Sequence, residues 1–520
     1  MAQISVNHLT FYYEGSSDNI FEDVSFQIDT DWKLGLVARN GRGKTTFLKL
    51  LFNSAENRNG EEGRREAEQY EYRGSITSAE SFDYFPFSVD DNRKNTVEIL
   101  EELYPDYEFW KVCRELSLLH VDADVLYRPF QSLSNGEQTK VMLAVLFSVE
   151  EKFLLIDEPT NHLDTEARKS VKEYLKGKKG FILVSHDRDF LDECIDHVLV
   201  INKTNIEVYQ GNFSSWQEQK KKQDAHEFSE NERLKKDIRR LTEAAGTVKK
   251  WAENVESAKI GRKGANGQKD RESRDYIGEQ SRRMQMRRKN LERRQQREIE
   301  EKSRLLKNIE TAEELKLFPM RHHKNVLVKC EEFQVYYGEK HLKKLNFSIE
   351  NGDCVALQGK NGCGKSSIIK VILQEALQNQ NVPKITYHGK IETASGLIIS
   401  YVPQDSSFLR GNVIDYAEGW GLDTPVFLAL LRKLDFNREQ FEKKMEHYSA
   451  GQRKKVLLAR SLCEKAHLYI WDEPLNYIDV FSRMQIEELL LEYRPTLLLV
   501  EHDRVFVDKI CNKSVDCVYD

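Results

Sequence analysis

Hydrophobic positions along this 520-residue chain follow two contrasting patterns. Short unbroken apolar runs, Phe153-Leu154-Leu155-Ile156, Phe181 to Val184, Leu468-Tyr469-Ile470-Trp471 and Leu497 to Val500, each predict a strand. The middle of the chain obeys another period. Leu234, Ile238, Leu241, Ala245 and Val248 advance by alternating steps of four and three, the seam of a helix packed on another helix. Met284, Leu291, Leu306 and Ile309 give a weaker return seam, and Ile260 to Asp270 (IGRKGANGQKD) between them is a glycine-containing turn. An antiparallel α-helical hairpin is expected, with arms of about 40 residues that reach on the order of 60 Å and project outward.

The chain also repeats itself. Its first and last thirds present the same landmarks in the same order: aromatic loop, phosphate loop, a serine-glycine signature, an acidic strand end and a histidine. Residues 1–214 are therefore assigned to one nucleotide-binding domain, 215–320 to the hairpin linker and 321–520 to a second domain. The expected class is α/β, two phosphate-loop NTPase domains in tandem.

Composition sharpens the picture of the linker. The chain is 39% hydrophobic and 32% charged with mean hydropathy -0.63, polar enough to imply a segment without a core. Its net charge is -6, yet the linker carries about nine more cations than anions, so the two domains hold the acid. Lys259, Arg262, Lys263, Lys269, Arg271 and Arg274 crowd the turn. A solvated coiled coil separating two domains accounts for the amphipathic arms; the crowded tip fits a polyanion such as folded RNA, because lysine and arginine contacts to phosphate supply sequence-independent affinity. The eight cysteines are dispersed without a C-x-x-C pair and read as free thiols. No apolar stretch approaches the roughly 20 residues that span a bilayer, and the first residues lack a basic and then apolar leader, so a cytoplasmic protein without a membrane partner is expected.

The chemistry lies in the repeated motifs. Gly359-Lys360-Asn361-Gly362-Cys363-Gly364-Lys365-Ser366 fits G-x-x-x-x-G-K-[ST] in full, a loop whose backbone N–H groups curl around phosphates. Lys365 is placed to reach the β/γ-phosphates of ATP, Ser366 to ligate Mg²⁺, and Ser367 follows in the helix. The first copy reads Ala38-Arg39-Asn40-Gly41-Arg42-Gly43-Lys44-Thr45, followed by Thr46, and departs by opening on alanine. Asp157 and Glu158, and again Asp472 and Glu473, follow apolar runs as a magnesium ligand and a residue that polarises the attacking water, with Thr45 the first copy's hydroxyl ligand.

A third element is more specific. Leu133-Ser134-Asn135-Gly136-Glu137-Gln138 and Tyr448-Ser449-Ala450-Gly451-Gln452 resemble the ATP-binding-cassette signature. That resemblance implies a head-to-tail sandwich in which Lys44 faces Ser449 and Lys365 faces Ser134. It also casts His186 and His502 as switch histidines that sense the γ-phosphate, Tyr13 and Tyr337 as aromatic residues stacked on adenine, and Gln404 as a Q-loop residue that senses Mg²⁺. At the position of Gln404 the first copy has Phe87, which offers no oxygen ligand. With Ala38, this predicts unequal sites and slower turnover on Lys44.

The whole chain resembles the ABC-F class, through Asp-Glu-Pro-Thr-Asn-His-Leu-Asp at 157–164 and Tyr209-Gln210-Gly211-Asn212-Phe213 before the linker. Asp-Glu-Pro-Leu-Asn-Tyr-Ile-Asp at 472–479, Arg128-Pro129-Phe130 and Asp275-Tyr276-Ile277-Gly278 resemble its Lsa and Vga branch. The resemblance implies a monomer that binds the ribosomal E site, with the linker reaching toward 23S rRNA and P-site tRNA to release lincosamides, pleuromutilins and group A streptogramins. A housekeeping translation factor shares every ATPase motif and stays open. A transport-coupling ATPase would need a membrane partner. A DNA partner is not expected, because the coiled coil of DNA-repair relatives interrupts one cassette whereas this spacer lies between two.

Overall fold

Six strands of the first cassette lie in the order Ser81–Phe85, Lys152–Asp157, Phe181–Val184, Lys33–Val37, His197–Ile201 and Ile206–Gln210, all parallel except the last. The apolar runs do not alternate because both faces of this sheet are covered. Phe153 and Leu155 face one core with Leu34, Leu36 and Phe47, while Leu154 and Ile156 face another with Val141 and Val145. The second cassette repeats the plan with Ile399–Val402, Leu468–Asp472, Leu497–Val500, Cys354–Gln358 and Lys513–Asp516, all parallel. Here Tyr469 and Trp471 face the core that holds Phe427 and Leu458, and Leu468 and Ile470 the one that holds Val355 and Ile369. An antiparallel sheet built around Gln3–Phe11, and its counterpart around Val326–Tyr337, complete the cassettes.

The structure is a computed structural model that describes residues 3–13, 19–56, 72–105, 107–149, 152–160, 163, 165–202, 205–259, 286, 316–337, 340–341, 343–360, 362–377, 385–434, 436 and 438–518. It forms two compact units, residues 1–216 with 313–520, and residues 217–312. Both cassettes belong to the first. The helix Phe213–Lys259 covers the first seam, Leu234 to Val248, without a break. The turn at Ile260 to Asp270, the return seam from Met284 to Ile309 and the tip cations Arg262, Lys263, Lys269, Arg271 and Arg274 lie outside the described residues, as does Asn361. Among the described residues no helix is long and apolar enough to cross a membrane.

The cassettes join through near-equivalent elements. Asp187 caps the helix Arg188–Cys194 and pairs with Arg168 at 3.6 Å; Asp503 caps Arg504–Ile510 and pairs with Arg483 at 3.3 Å. Val480 enters the first cassette's core, with Phe481 and Met484 packed beside it. One contact has no counterpart among the described residues of the other copy: the buried Arg188 guanidinium of the first cassette binds Glu487 of the second, which Lys509 also holds at 2.9 Å. Removing one member of a buried pair strands the other. Glu487→Ala is expected to destabilise the protein by about 3–5 kcal/mol, read as a lower urea midpoint, with Lys509→Ala close to neutral because that lysine is half exposed.

Candidate active site

Both phosphate loops sit where a central parallel strand turns into a helix. Gly41 and Gly43 take φ of 80° and 83°, and Gly362 and Gly364 take 76° and 97°, the left-handed conformations that let a strand turn sharply into Lys44–Glu56 and Lys365–Leu377. The opening position explains the departure at Ala38. Gly359 has φ 147°, and a Cβ there would stand 2.4 Å from the Cys517 carbonyl oxygen, whereas Ala38 has no positive φ and packs in the core. Lys44 Nζ donates to Ala38 O at 3.0 Å and Asn40 Oδ1 at 3.2 Å; Lys365 Nζ donates to Gly359 O at 2.7 Å and Lys360 O at 3.0 Å. Burial pulls Lys44 below its ordinary range, against the opposing charges of Asp479, Glu158 and Asp157.

The acidic strand ends lie beside these loops. Asp157 accepts from Thr45 Oγ1 and from Tyr84 OH, both at 2.9 Å, and Asp472 accepts from Ser366. Glu158 and Glu473 both have left-handed φ, 52° and 48°. Their surroundings differ sharply. Glu473 Oε2 accepts from Gln404 Nε2 at 2.9 Å and from Asn476 Nδ2 at 2.7 Å, with His502 Nε2 3.6 Å from Oε1. Burial alone would raise its pKa, but the neighbouring His502 and the hydrogen bond from Gln404 outweigh it and bring the carboxyl down to about 2. Glu158 has His186 Nε2 3.1 Å from Oε1, yet among the described residues neither oxygen receives a well-aligned hydrogen bond. Burial, reinforced by the Asp157 charge, pushes it up to about 8. Phe87 packs against the core with its ring 5.7 Å from Tyr104, and among the described residues no group replaces the amide that Gln404 supplies in the second copy.

The second cassette completes the Lys44 site. Ser449 and Ser134 each cap a signature helix, Ala450–Cys463 and Asn135–Ser148, with reciprocal capping boxes through Gln452 and Glu137. A cavity of about 360 Å³ is lined by Asn40, Gly41, Glu158 and His186 from one cassette and by Ser449, Gly451 and Tyr477 from the other. Asn40 Nδ2 donates to Tyr477 O across the joint at 3.0 Å. Lys365 and Ser134 line separate cavities of about 370 and 1050 Å³, which share Glu166 and Lys169. The structure therefore brings Asn40 and Gly41 of the Lys44 loop into one cavity with Ser449, whereas among the described residues Lys365 and Ser134 line different cavities. Tyr13 OH bonds Thr46 Oγ1 at 2.7 Å and leaves its ring partly exposed, while Tyr337 ends its strand.

Sequence comparison matches residues 21–161 and 342–476 to the ABC transporter family. The chain belongs to that family. It is an ABC ATPase, with two ATP-binding cassettes. It is 26% identical over 511 residues to the ribosome protection protein VmlR of Bacillus subtilis (strain 168), covering 97% of this chain and 85% of that protein. It is 26% identical over 561 residues to ABC transporter F family member 2 of Arabidopsis thaliana, covering 99% and 76%. The archaeal ribosome recycling factor aABCE1, solved with the ribosomal stalk protein aP1, has a TM-score of 0.59 at 19% identity over 98% of this chain and 87% of its own, a likeness of fold.

Several residues of this ABC ATPase's sites escaped the motif reading. Tyr84 on Asp157 could have been found, because Tyr401 holds the same place in the second copy. Asn476, Lys454 and the Lys455–Asp479 pair could not, since their roles depend on packing: Lys454 Nζ holds the carbonyls of Pro403 and Gln404 at 2.7 and 3.0 Å. The joint also separates the two signature glycines. A Cβ on Gly451 would stand 2.6 Å from Tyr477 O, whereas one on Gly136 would meet Ala167 Cβ at an ordinary 3.6 Å. Gly451→Ala is expected to lower ATP turnover about ten-fold, a barrier change of about 1.4 kcal/mol, without lowering the thermal midpoint, since alanine favours the helix. Gly136→Ala should leave turnover within about two-fold in the same assay.

Proposed function

We propose that this chain is a ribosome-protecting ABC-F ATPase. Closed on ATP, it binds the ribosomal E site and uses its linker to dislodge antibiotics from the peptidyl-transferase centre. The observation that carries the reading is the similarity to a ribosome protection protein along nearly the whole chain, linker included. The basic tip sequence supports an RNA-facing linker, and the joint between Asn40 and Tyr477 supports closure over nucleotide.

Each site has the groups that hydrolysis needs. Ser366 and Asp472, and Thr45 and Asp157, are hard oxygen donors suited to Mg²⁺, and the buried Asp472 Oδ1 has no hydrogen-bond partner among the described residues, as suits an oxygen kept for a cation. The metal, when bound, offsets charge on the phosphate oxygens. Lys44 and Lys365 hold the β/γ-phosphates, and the facing signature helix N-termini close on the γ-phosphate. Glu473, ionised and aimed by Gln404 and Asn476, polarises the attacking water at the Lys365 site, with His502 beside it. Glu158 and His186 hold the same places at the Lys44 site without that amide support, so Lys44 retains ATP longer while Lys365 turns over.

Two tests follow. In steady-state assays Glu473→Gln should lower ATP hydrolysis about ten-fold, and Glu158→Gln less than about two-fold; equal losses would remove the division of labour. For the ribosome, Glu158→Gln/Glu473→Gln protein should co-sediment with ribosomes only when ATP is present and displace a labelled lincosamide. Ribosome binding without drug release would assign the chain to factors that sense tRNA state, and absence of binding would remove the ribosome from its function.

A further inference from the structure

Four of the eight cysteines flank one pair of strands. The second phosphate-loop strand, Cys354–Gln358, pairs in parallel with Lys513–Asp516. At one end of that pair Cys354 Sγ lies 2.6 Å from Cys511 Sγ. Just past the other end, the Cys517 thiol hydrogen-bonds to Cys363, the residue inside the phosphate loop between Gly362 and Gly364. Cys517 N donates to Gln358 O at 2.7 Å, and a Cβ on Gly359 would meet the Cys517 carbonyl oxygen at 2.4 Å and Cys363 Sγ at 2.7 Å. The loop that must wrap a phosphate is thus pressed against a thiol pair. Lys365 Nζ, the ammonium placed for the phosphates, lies 4.0 Å from Cys363 Sγ.

We propose that Cys363 and Cys517 form a thiol oxidation site in which a peroxide links the second phosphate loop to the end of the last strand, so that ATP binding on Lys365 is lost while the bond lasts. The two thiols are prepared differently. The hydrogen bond from Cys517, aided by the Lys365 charge, pulls Cys363 down to about 6, whereas the same bond and burial push Cys517 up. Cys363 is the nucleophile and Cys517 the resolving thiol. A cavity of about 370 Å³ lined by Gly359, Lys360, Lys365 and His502 borders the loop, while the Cys363 and Cys517 side chains are themselves buried, so that peroxide reaches them when the loop opens.

Both steps balance. The Cys363 thiolate attacks one peroxide oxygen; an S–O bond forms, the O–O bond breaks, and hydroxide leaves and takes a proton as water. Cys517 loses its proton and attacks the sulfenic sulfur; the S–S bond forms, the S–O bond breaks and a second water leaves. The sulfurs together give up two electrons and one peroxide becomes two waters. A disulfide needs the sulfurs about 2.05 Å apart, closer than hydrogen-bonded thiols, and the turn between Gly362 and Gly364 must shift to allow it. That shift disturbs the backbone N–H groups that would face phosphate and replaces the thiolate beside Lys365. The reducing cytosol that keeps structural disulfides rare is compatible with a transient, reversible bond.

The test treats full-length protein with hydrogen peroxide, with and without prior ATP, and measures nucleotide stoichiometry, hydrolysis and linked peptides. The expected result is a fall from two bound nucleotides to one, a Cys363–Cys517 linked peptide, slower linkage when ATP is bound first, and recovery of both nucleotides after a dithiol reductant. Cys517→Ala and Cys517→Ser should retain two nucleotides before oxidation and give no reductant-reversible loss after it. The proposal is overturned if oxidised wild-type protein lacks the Cys363–Cys517 peptide, or carries it and still binds two nucleotides. It is also overturned if a reversible loss persists in the Cys517 variants and disappears in Cys511→Ala, which assigns the effect to the Cys354–Cys511 pair.

Discussion

A lysine at the start of a helix, its ammonium turned back onto the carbonyls of the loop before it, is the constraint around which each cassette is arranged. Lys44 and Lys365 can be held there only because the strand before them ends in a turn whose carbonyls receive the ammonium. That turn needs residues that accept left-handed φ, and it needs a central parallel strand with neighbours on both sides to fix where it begins. The neighbouring strands, Phe181–Val184 and Leu497–Val500, bring His186 and His502 to the same edge, and the strands next to those bring the acidic pairs. The carboxylates then offset a charge that burial alone would expel.

Divergence between the copies acts on this arrangement through single atoms. An alanine is accommodated at position 38 because its backbone has no need of the conformation that Gly359 adopts under the Cys517 carbonyl. A phenylalanine at position 87 packs against the core, and among the described residues the amide that Gln404 offers Glu473 has no equivalent. Two carboxylates of the same type, on equivalent strand ends, consequently sit on opposite sides of their ordinary range. The fold is duplicated, but its electrostatics are not.

Much of this is legible in the residues. Strands buried on both faces write themselves as unbroken apolar runs, and glycine-lysine-hydroxyl spacing marks a strand-to-helix loop, so the tandem α/β plan and the places of the two loops could be read directly. What could not be read is whatever depends on the partner cassette or on a bend in the chain. The carbonyl of Tyr477 facing Asn40 leaves no trace in the type of residue 477, and Lys454 is one cation among many until its ammonium is seen under Pro403 and Gln404. Glu487, in a helix of mixed character, gives no sign that it neutralises an arginine of the other cassette. The pairing of Cys363 with Cys517 is likewise invisible, because the two are far apart in sequence and adjacent only across a parallel strand pair.

The same dependence on packing extends from the first phosphate loop to Trp216. Phe481 lies in the first turn of the helix Val480–Tyr493 that Asp479 caps; Arg39 of the first phosphate loop lies 5.9 Å from its ring, and Trp216 packs edge-on against it at 5.9 Å. Trp216 and Phe213 are buried in the first cassette's core, and they form the first turn of the helix that runs unbroken to Lys259. Close-packed interiors do not absorb displacement locally; a side chain that moves must move its neighbours. Phe481 thus stands between the first phosphate loop and Trp216, and a displacement of either is felt by the same ring.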